Sequence, residues 1–235
     1  MCGRFTLHHT PAEIAERFGV QKSLFDPHER YNIAPTQTVA VVTYNAHGDE
    51  ETALESYHWG LIPRWAKDEK IGYKTFNARI ETVGEKPSYR DAFKKGRRCL
   101  IIADGLYEWK KLDKSGKQKQ PYHIRFKDGR LFAFAGLWEE WNSPDGPLRS
   151  CTMITGEPNY LVKDIHDRLA KIVNAEHEKD WLNPELSPEE ALALLGEVPH
   201  KDMEAVPVTH DVGNSRIDSP QFIVPLDKKI EDEHD

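Results

Sequence analysis

The segment that decides the fold reads Cys99-Leu100-Ile101-Ile102-Ala103-Asp104-Gly105-Leu106-Tyr107-Glu108-Trp109-Lys110. Its first five residues form a continuous apolar run, which is typical of a strand that is buried on both faces. Asp104-Gly105 then interrupts the run with a turn-favouring pair, and a second strand-type segment, Leu106–Lys110, follows it. The segment therefore predicts two strands with a change of direction between them.

Similar signals continue on both sides of this segment. Two strand-type segments, Tyr122–Phe126 and Leu131–Leu137, flank the turn pair Asp128-Gly129, and this arrangement predicts a β-hairpin. A turn is expected at His47-Gly48-Asp49. The further strand predictions are Thr38–Tyr44, Ala53–Trp59, Thr152–Thr155 and Phe222–Val224.

Helix signals are fewer and mark short segments. Thr10-Pro11-Ala12-Glu13 is a capping box with proline at the first helical position, and Gly19 predicts the end of that helix. Ser187-Pro188-Glu189-Glu190 starts a second helix in the same way, with an expected end at Gly196. Two more helices are expected from Ser88 to Phe93, ending at Gly96, and near Ala175–Leu182.

Strands outnumber helices and do not alternate with them regularly, so we expect an α+β fold. The prediction is a single compact, β-rich domain over residues 1–225, with largely antiparallel strands and a few short helices. Residues 226–235 form an acidic tail, which we expect to be disordered because it is short, terminal and strongly charged.

Composition indicates an ordinary globular protein. Of 235 residues, 38% are apolar and 30% are charged, and no apolar run approaches the roughly 18 residues of a membrane span. The N-terminus lacks the pattern of a signal peptide. Three cysteines (Cys2, Cys99 and Cys151) cannot all pair and show no zinc-binding spacing. We therefore expect a reducing, cytoplasmic location, with no metal and no organic cofactor.

Charge is distributed unevenly along the chain, whose net charge is −7. Residues 1–130 hold 23 Lys/Arg and 17 Asp/Glu, whereas residues 131–235 hold 9 and 22. Such an asymmetry fits a basic binding face opposite an acidic side, although ordinary solvated surface charge would also produce it.

The N-terminal Met1-Cys2-Gly3 carries the first chemical signal. If Met1 is removed, Cys2 presents an α-amine and a thiol on adjacent carbons, with ordinary pKa values near about 8 and 8.5. The amine can form a Schiff base with an aldehyde, and the thiol can then close a thiazolidine ring. The same residue could instead act as an N-terminal nucleophile for acyl transfer.

Six ordered segments together resemble one family, the SOS-response-associated peptidase (SRAP) family. They are Met1–Phe5, Arg30–Pro35, Trp59–Pro63, Phe76–Thr82, Ala103–Lys110 and Asp164–Arg168. The resemblance runs from residue 1 to about residue 225. It implies the SRAP fold and covalent attachment to abasic sites in single-stranded DNA in the DNA damage response, through Cys2 and after removal of Met1.

The resemblance also implies catalytic roles for three side chains beside Cys2. Glu108 would move the protons needed to lose water from the carbinolamine, and it would assist the release of Met1 by a self-directed peptidase activity. His166 would carry protons, above all in reversal of the crosslink. Asn77, a neutral amide, would orient the sugar by hydrogen bonds. Asp167 and Arg168 could orient His166 or hold its loop.

A second set of residues is expected to contact DNA. Arg4 and Arg79 would hold phosphates, and Trp65 and Trp109 would stack on bases or wedge beside them. Three further positions lie where the family approaches DNA: Asn32, Pro35 and Thr155. We expect a monomer that needs no protein partner or membrane and joins the nucleoid when bound to DNA.

One departure from the family pattern follows His166-Asp167-Arg168. The family commonly continues with Met-Pro, whereas this chain has Leu169-Ala170. The change alters the rigidity of the His166 loop and leaves every proton-carrying atom in place, so we expect it to affect the rate of crosslink reversal.

Three alternatives remain open from the sequence. Met1-Cys2-Gly3 also begins glutamine amidotransferases of the N-terminal-nucleophile type, but 235 residues leave no room for their usual synthetase partner. The chain could also be a non-covalent single-stranded DNA-binding module with a basic, aromatic face. A peptidase that acts on other proteins would need a catalytic triad or substrate cleft, for which the sequence has no signal.

Overall fold

The computed structural model describes residues 2–196 and 200–226. Met1 and all but the first residue of the predicted acidic tail lie outside the described residues. The strands are β1 Phe5–Leu7, β2 Lys22–Ser23, β3 Arg30–Ile33, β4 Thr38–Tyr44, β5 Thr52–Trp59, β6 Asn77–Arg79, β7 Arg98–Ala103, β8 Gly105–Lys111, β9 Lys119–Phe126, β10 Phe132–Ser143, β11 Gly146–Gly156, β12 Leu169–Ala170, β13 Ile172–Val173 and β14 Met203–Pro207.

Helices are short by comparison. The α-helices are α1 Pro11–Phe18, α2 Arg90–Lys94, α3 Glu178–Leu182 and α4 Pro188–Ala193, and the 3-10 helices are Glu69–Lys74, Ala175–His177, His210–Gly213 and Pro220–Ile223. This strand-rich content confirms the predicted α+β class. None of the described helices is long and apolar enough to cross a membrane.

The larger sheet closes into a barrel. Its antiparallel order is β11-β10-β7-β4-β5, and β5 also pairs in parallel with β11 through His58 and Ser150. The buried apolar run predicted at the outset lies in β7, where every residue is buried, between β4 and β10. Short strands extend the barrel wall: β2 pairs with β5, β13 with β10, and both β6 and β12 with β11.

A second, antiparallel sheet has the order β14-β9-β8-β1-β3. The chain passes from the barrel into this sheet at Asp104-Gly105, the predicted break. Gly105 is required there because a Cβ atom would lie 2.0 Å from His123 Nε2 and 2.8 Å from Thr6 Oγ1. Phe5 of β1 is 1% exposed and packs edge-to-face on Trp59 and Phe134 of the barrel. This packing anchors the N-terminal segment against the barrel.

The predicted hairpin between Tyr122–Phe126 and Leu131–Leu137 is wrong. The turn forms, with Gly129 at φ 71° and its N–H donated to the Phe126 carbonyl at 3.0 Å. However, β9 pairs with β8 and β14, and β10 pairs with β7 and β11, so the two strands belong to different sheets. Both strands have their edges occupied by other partners, and the local turn signal contains no information about those partners.

The predicted strand Phe222–Val224 is also wrong, because a 3-10 helix, Pro220–Ile223, occupies this position. Ser219 caps it by accepting the N–H of Gln221, and Phe222 is buried in a small cluster with Tyr107. The capping boxes at Thr10 and Ser187 are confirmed. Ser88, in contrast, does not cap α2, which begins after Tyr89 without a side-chain cap.

Candidate active site at the N-terminal cysteine

Pairing between β1 and β8 brings Cys2 to Glu108. Phe5 lies opposite Leu106, and the N–H of Tyr107 donates to the Arg4 carbonyl at 3.0 Å. Continuing this register places Glu108 opposite Gly3, next to Cys2. Cys2 is 2% exposed and Glu108 is 1% exposed, so the thiol and the carboxyl meet in a site that excludes water.

Two short strands of the barrel wall hold Cys2 in place. The Cys2 carbonyl accepts a hydrogen bond from Asn77 Nδ2 at 2.7 Å, and its Sγ accepts the N–H of Ala170 at 3.0 Å. Asn77 lies in β6 and Ala170 in β12, which both pair with the last residues of β11. Burial and the negative charge of Glu108 raise the pKa of the Cys2 thiol, so the thiol is protonated at neutral pH.

Glu108 is the buried acid of the site. Its Oε2 lies 3.8 Å from His166 Nε2, and its Oε1 has no hydrogen-bond partner among the described residues. Burial raises the pKa of the Glu108 carboxyl, an effect that His166 and Cys2 partly oppose. A raised pKa brings the protonated and ionised forms of the carboxyl closer to balance at neutral pH, which favours a role in acid–base catalysis.

His166 has room for either tautomer. Its Nδ1 lies 3.0 Å from both the N–H and the carbonyl of Arg168, and 3.2 Å from the exposed carboxylate of Asp167. Nδ1 can therefore accept or donate a hydrogen bond, so its surroundings are compatible with either tautomer of the ring. Such a ring can relay a proton without moving.

Arg168 fixes the loop that carries His166. Its guanidinium binds Glu81 through two hydrogen bonds of 2.6 and 3.0 Å, and Nη2 also donates to the Thr155 carbonyl at 2.6 Å. These bonds tie the end of the His166 loop to Glu81 and to β11.

Asn77 is positioned by its neighbours and keeps one group unused. The main-chain carbonyl of Asn77 accepts a hydrogen bond from the Tyr89 hydroxyl at 2.9 Å. The side-chain Nδ2 of Asn77 donates to the Cys2 carbonyl. Its Oδ1 is buried and has no hydrogen-bond partner among the described residues. A buried, unsatisfied acceptor next to the nucleophile suits a hydrogen bond to a ligand hydroxyl.

All four predicted catalytic residues therefore converge, although they lie in four separate parts of the sequence. Cys2 contacts Asn77 through its carbonyl, and the Cys2 thiol faces Glu108, which in turn neighbours His166. The arrangement places a carboxyl beside the Cys2 thiol and an imidazole next to that carboxyl.

Two predicted DNA contacts are exposed. Arg79 ends β6, two residues after Asn77, and its side chain has no hydrogen bond or ion pair in the described part of the chain. Trp65 is 54% exposed, and its Nε1–H donates to the Pro87 carbonyl at 3.3 Å, which fixes the ring. Both side chains are available to a ligand.

The other predicted DNA contacts mostly face inward. Arg4 donates to Asn32 Oδ1 and to the carbonyls of Val212 and Gly213. Asn32 is 2% exposed, and its Nδ2 binds two further carbonyls of the segment 210–217. These bonds fasten the C-terminal segment to β1 and β3. A direct contact of Arg4 or Asn32 with DNA stays a prediction that competes with this bracing.

Three positions complete that set. Thr155 is 3% exposed, and its Oγ1 donates to the Ala78 carbonyl at 3.4 Å. Trp109 is partly buried and packs on the cluster that contains Phe222. Pro35 is half-buried and precedes Thr36, which has φ 71°. A β-branched residue in the left-handed region is a strained conformation, of the kind that occurs at functional sites.

Sequence reasoning missed several parts of this site. It did not find Tyr89, Glu81 as the partner of Arg168, or the Ala170 N–H, and a backbone N–H leaves no residue-type signal. Elsewhere in the molecule, it also missed the positive φ of Thr36 and two exposed aromatic side chains, Tyr73 and Tyr160.

One cluster outside the site could hold a cation. Within residues 2–196 and 200–226, His8, His9 and Asp104 are the group of His, Cys, Asp or Glu residues whose ligand atoms lie within 4.8 Å of one another. Asp104 already accepts the Thr6 hydroxyl, the His8 N–H and the His9 ring, and these contacts lower its pKa. The contacts account for the cluster as an anchor for β1, so we assign no metal to it.

Comparisons with known proteins point in one direction. Residues 1–215 match the family described as SOS response associated peptidase (SRAP). Abasic site processing protein YoqW of Bacillus subtilis (strain 168) is 46% identical over 227 residues, which cover 95% of this chain and 99% of YoqW. Abasic site processing protein HMCES of Mus musculus is 30% identical over 280 residues, covering 99% of this chain and 78% of HMCES.

The fold is also similar to a solved structure. The crystal structure of a protein from Bacteroides thetaiotaomicron superposes with a TM-score of 0.81 at 26% identity, covering 96% of this chain and all of that one. The similarities thus extend over nearly the whole chain, including the segments that supply Cys2, Asn77, Glu108 and His166.

Proposed function

Because the chain belongs to the SOS response associated peptidase (SRAP) family, we propose that it processes abasic sites in DNA, as the names of its relatives YoqW and HMCES state for those proteins. The proposed product is a covalent crosslink between Cys2 and an abasic site in single-stranded DNA. The crosslink would shield the lesion from nucleases and from β-elimination.

The proposed reaction joins the Cys2 amine and thiol to one carbon. After Met1 has left, the α-amine attacks the C1′ aldehyde of the ring-opened deoxyribose to form a carbinolamine. Loss of water gives a Schiff base, and Sγ then adds to C1′ to close a thiazolidine. One water leaves overall, and the thiol proton ends on the ring nitrogen.

The side chains around Cys2 supply the proton transfers. Glu108 donates a proton to the departing hydroxyl and accepts the thiol proton, since it faces the thiol and its pKa is raised by burial. His166, 3.8 Å beyond Glu108, exchanges protons with solvent. The unused Oδ1 of Asn77 accepts a sugar hydroxyl.

The observation that carries the proposal is the convergence of a 2%-exposed Cys2 with the 1%-exposed Glu108. A buried carboxyl costs stability unless it is paired or neutralised. Here it faces the thiol, one of its oxygens has no partner in the described structure, and the enclosing strands continue directly to the N-terminus. A contribution to folding stability alone does not explain why a carboxyl is buried beside the Cys2 thiol.

A denaturing gel with an abasic oligonucleotide tests the proposal. Purified protein, whose loss of Met1 is verified by intact mass, is mixed with labelled single-stranded DNA that contains one abasic site. We expect the wild type to give a heat-stable shifted band without borohydride. Cys2→Ser keeps the amine and should give a band only after borohydride reduction of its Schiff base.

Two controls define the outcome. Cys151→Ala removes a buried thiol in β11 and should crosslink like the wild type. A tetrahydrofuran analogue, which has no aldehyde, should give no band with any variant. Crosslinking by Cys2→Ser without borohydride would contradict the thiazolidine, and the absence of a wild-type band would contradict covalent processing altogether.

We also propose that the chain releases its own Met1, with Glu108 activating the attacking water. Cell-free synthesis with methionine aminopeptidase inhibited should still yield the mature mass for the wild type, while Glu108→Gln retains Met1. Retention of Met1 by both proteins would show that an external aminopeptidase is needed.

Preference for single strands belongs to the same proposal. Exposed Trp65 and Arg79 offer a stacking surface and a phosphate contact, which suit unpaired bases beside the lesion. We expect faster crosslinking of single-stranded than of double-stranded abasic DNA, by a monomer in the DNA-containing cytoplasm. A gel time course with both substrates, together with light scattering, checks both expectations.

A further inference from the structure

The Cys2 sulfur has one hydrogen-bond donor in the described structure, the backbone N–H of Ala170. The N–S distance is 3.0 Å, and both residues are buried, at 2% and 0% exposure. Solvent therefore cannot easily replace this contact, and its strength is that of a hydrogen bond in a low-dielectric site.

The donor is held in place by bonds on both sides of residue 170. Arg168 is fixed by Glu81 and by the Thr155 carbonyl. On the other side, the Lys171 N–H donates to the Ile154 carbonyl at 2.8 Å, and the Lys171 carbonyl accepts the N–H of Ala135 at 2.8 Å. A donor fixed in this way needs no reorganisation when charge develops on the sulfur.

We infer that the Ala170 N–H stabilises negative charge on the Cys2 sulfur while the thiazolidine closes and opens, an inference that rests on the proposed function. In closure, the thiol gives up its proton, the sulfur electron pair forms the S–C1′ bond, and the C=N electron pair returns to nitrogen. In opening, the S–C1′ bond breaks with its electron pair moving to sulfur, and the nitrogen lone pair forms C=N again. Both directions pass through a partly anionic sulfur.

The rest of the site opposes negative charge on the Cys2 sulfur. Burial and the nearby Glu108 carboxylate both disfavour a thiolate, whereas the Ala170 N–H favours it. Proline has no N–H, so proline at position 170 would remove this donor.

The variant Ala170→Pro tests the inference, with Ala170→Gly as the matched control that keeps the N–H. The preceding residue, Leu169, already lies in a strand, which is the conformation that a following proline favours. We expect Ala170→Pro to slow both crosslink formation and reversal by about tenfold, the factor for one lost hydrogen bond of about 1.4 kcal/mol. The final extent of crosslinking and the affinity for the tetrahydrofuran analogue should stay near those of the wild type.

These readouts separate the inference from a structural role and from the proposed function. A purely structural role would lower the affinity for the analogue and act on Ala170→Gly as well. Equal crosslinking rates for wild type and a folded Ala170→Pro would overturn the inference and leave the proposed function standing. Failure of the wild type to crosslink would overturn the proposed function instead.

A backbone ester covers the case in which Ala170→Pro does not fold. Replacing Ala170 by lactic acid through nonsense suppression removes the N–H and keeps the methyl side chain. We expect crosslink formation and reversal about tenfold slower than in the wild type. Unchanged rates in this ester variant would overturn the inference without any proline variant.

Discussion

At the scale of single residues, Glu108 combines a cost to stability with its proposed role in proton transfer. Its carboxyl is 1% exposed and burial raises its pKa. Between the unfolded value of about 4.3 and the raised folded value, the native state binds more protons than the unfolded state. Stability contributed by this group therefore falls as the pH rises through that window.

Glu108→Gln should consequently be more stable relative to the wild type at pH 7.5 than at pH 4. At pH 4 both proteins carry a neutral group at position 108, so the difference between their melting temperatures should nearly vanish. Crosslink formation should slow by about 10²–10⁴-fold, the usual contribution of a general acid–base. Thermal melts at the two pH values and a gel time course check this, and an equal stability difference at both pH values would contradict the raised pKa.

His166 should matter most when the crosslink reverses, because ring opening needs protons delivered to a site that excludes water. His166→Gln keeps a polar side chain of similar length but cannot carry a proton. We expect reversal to slow by about 100-fold, measured by chasing a preformed labelled crosslink with excess unlabelled abasic oligonucleotide. His28→Gln, at an exposed position, is the control, and its crosslink should reverse at the wild-type rate. Equal slowing of reversal in both variants would contradict a specific role of His166 in reversal.

The proximity of the residues proposed to be catalytic could be expected from the sequence, whereas the contacts of several neighbours could not. The ordered segments that resemble the family indicated four residues, Cys2, Asn77, Glu108 and His166. In the structure these four residues lie close together. Arg4 was expected at a phosphate, yet its guanidinium is bound to Asn32 and to two carbonyls. Residue type reveals that a guanidinium binds oxygen atoms and leaves open whether those atoms belong to DNA or to the protein.

At the scale of elements, the loop between β11 and β12 is anchored at its end by the Arg168–Glu81 ion pair. Arg168→Lys should lose the bidentate contact with Glu81 and the hydrogen bond to the Thr155 carbonyl, since lysine lacks the planar guanidinium group. We expect a stability loss of no more than about 1 kcal/mol, as for other partly exposed pairs, but a clear drop in crosslinking rate because His166 is no longer oriented.

A second arginine–glutamate pair gives the matched control. Arg125 of β9 and Glu204 of β14 pair at 3.0 Å and are partly exposed. Arg125→Lys should lower the melting temperature about as much and leave crosslinking unchanged. If the two lysine variants lose crosslinking in proportion to their stability, the His166 loop has no special dependence on Arg168.

Elements themselves were predictable where local chemistry decides them. The capping boxes at Thr10 and Ser187 and the strand Thr38–Tyr44 are confirmed because caps and apolar runs act over a few residues. The hairpin across Asp128-Gly129 was wrong because pairing is decided by distant strands that compete for the same edges. Register and sheet membership depend on contacts that no local window contains.

At the scale of the whole molecule, the barrel supplies a rigid frame to which distant segments attach. Cys2 and Glu108 are 106 positions apart, and Cys2 and Ala170 are 168 apart, so the site exists only when both sheets are complete. The fold class followed from the count and spacing of strand signals. Closure of the barrel through the parallel pair β5–β11 did not, because parallel pairing has no turn signal.

The charge of the molecule leads to the last prediction. Residues 1–130 carry the net positive charge and residues 131–235 the net negative charge, and Arg79 is an exposed cation of the basic part next to Asn77. Affinity for single-stranded DNA should fall with salt, with a log–log slope of about −0.7 for each phosphate contacted. Arg79→Ala should therefore make the slope shallower by about 0.7 as well as weaken binding.

Fluorescence anisotropy with the tetrahydrofuran analogue measures this slope without interference from covalent attachment. Arg130→Ala is the control, because Arg130 is comparably exposed but already paired with Asp128, and its slope should equal that of the wild type. A phosphate contact requires the slope change and the affinity loss to occur together in Arg79→Ala alone. If Arg79→Ala weakens binding at every salt concentration with an unchanged slope, Arg79 supports the local structure instead. If both variants change the slope equally, the affinity for DNA depends on the total charge of the protein rather than on the Arg79 side chain.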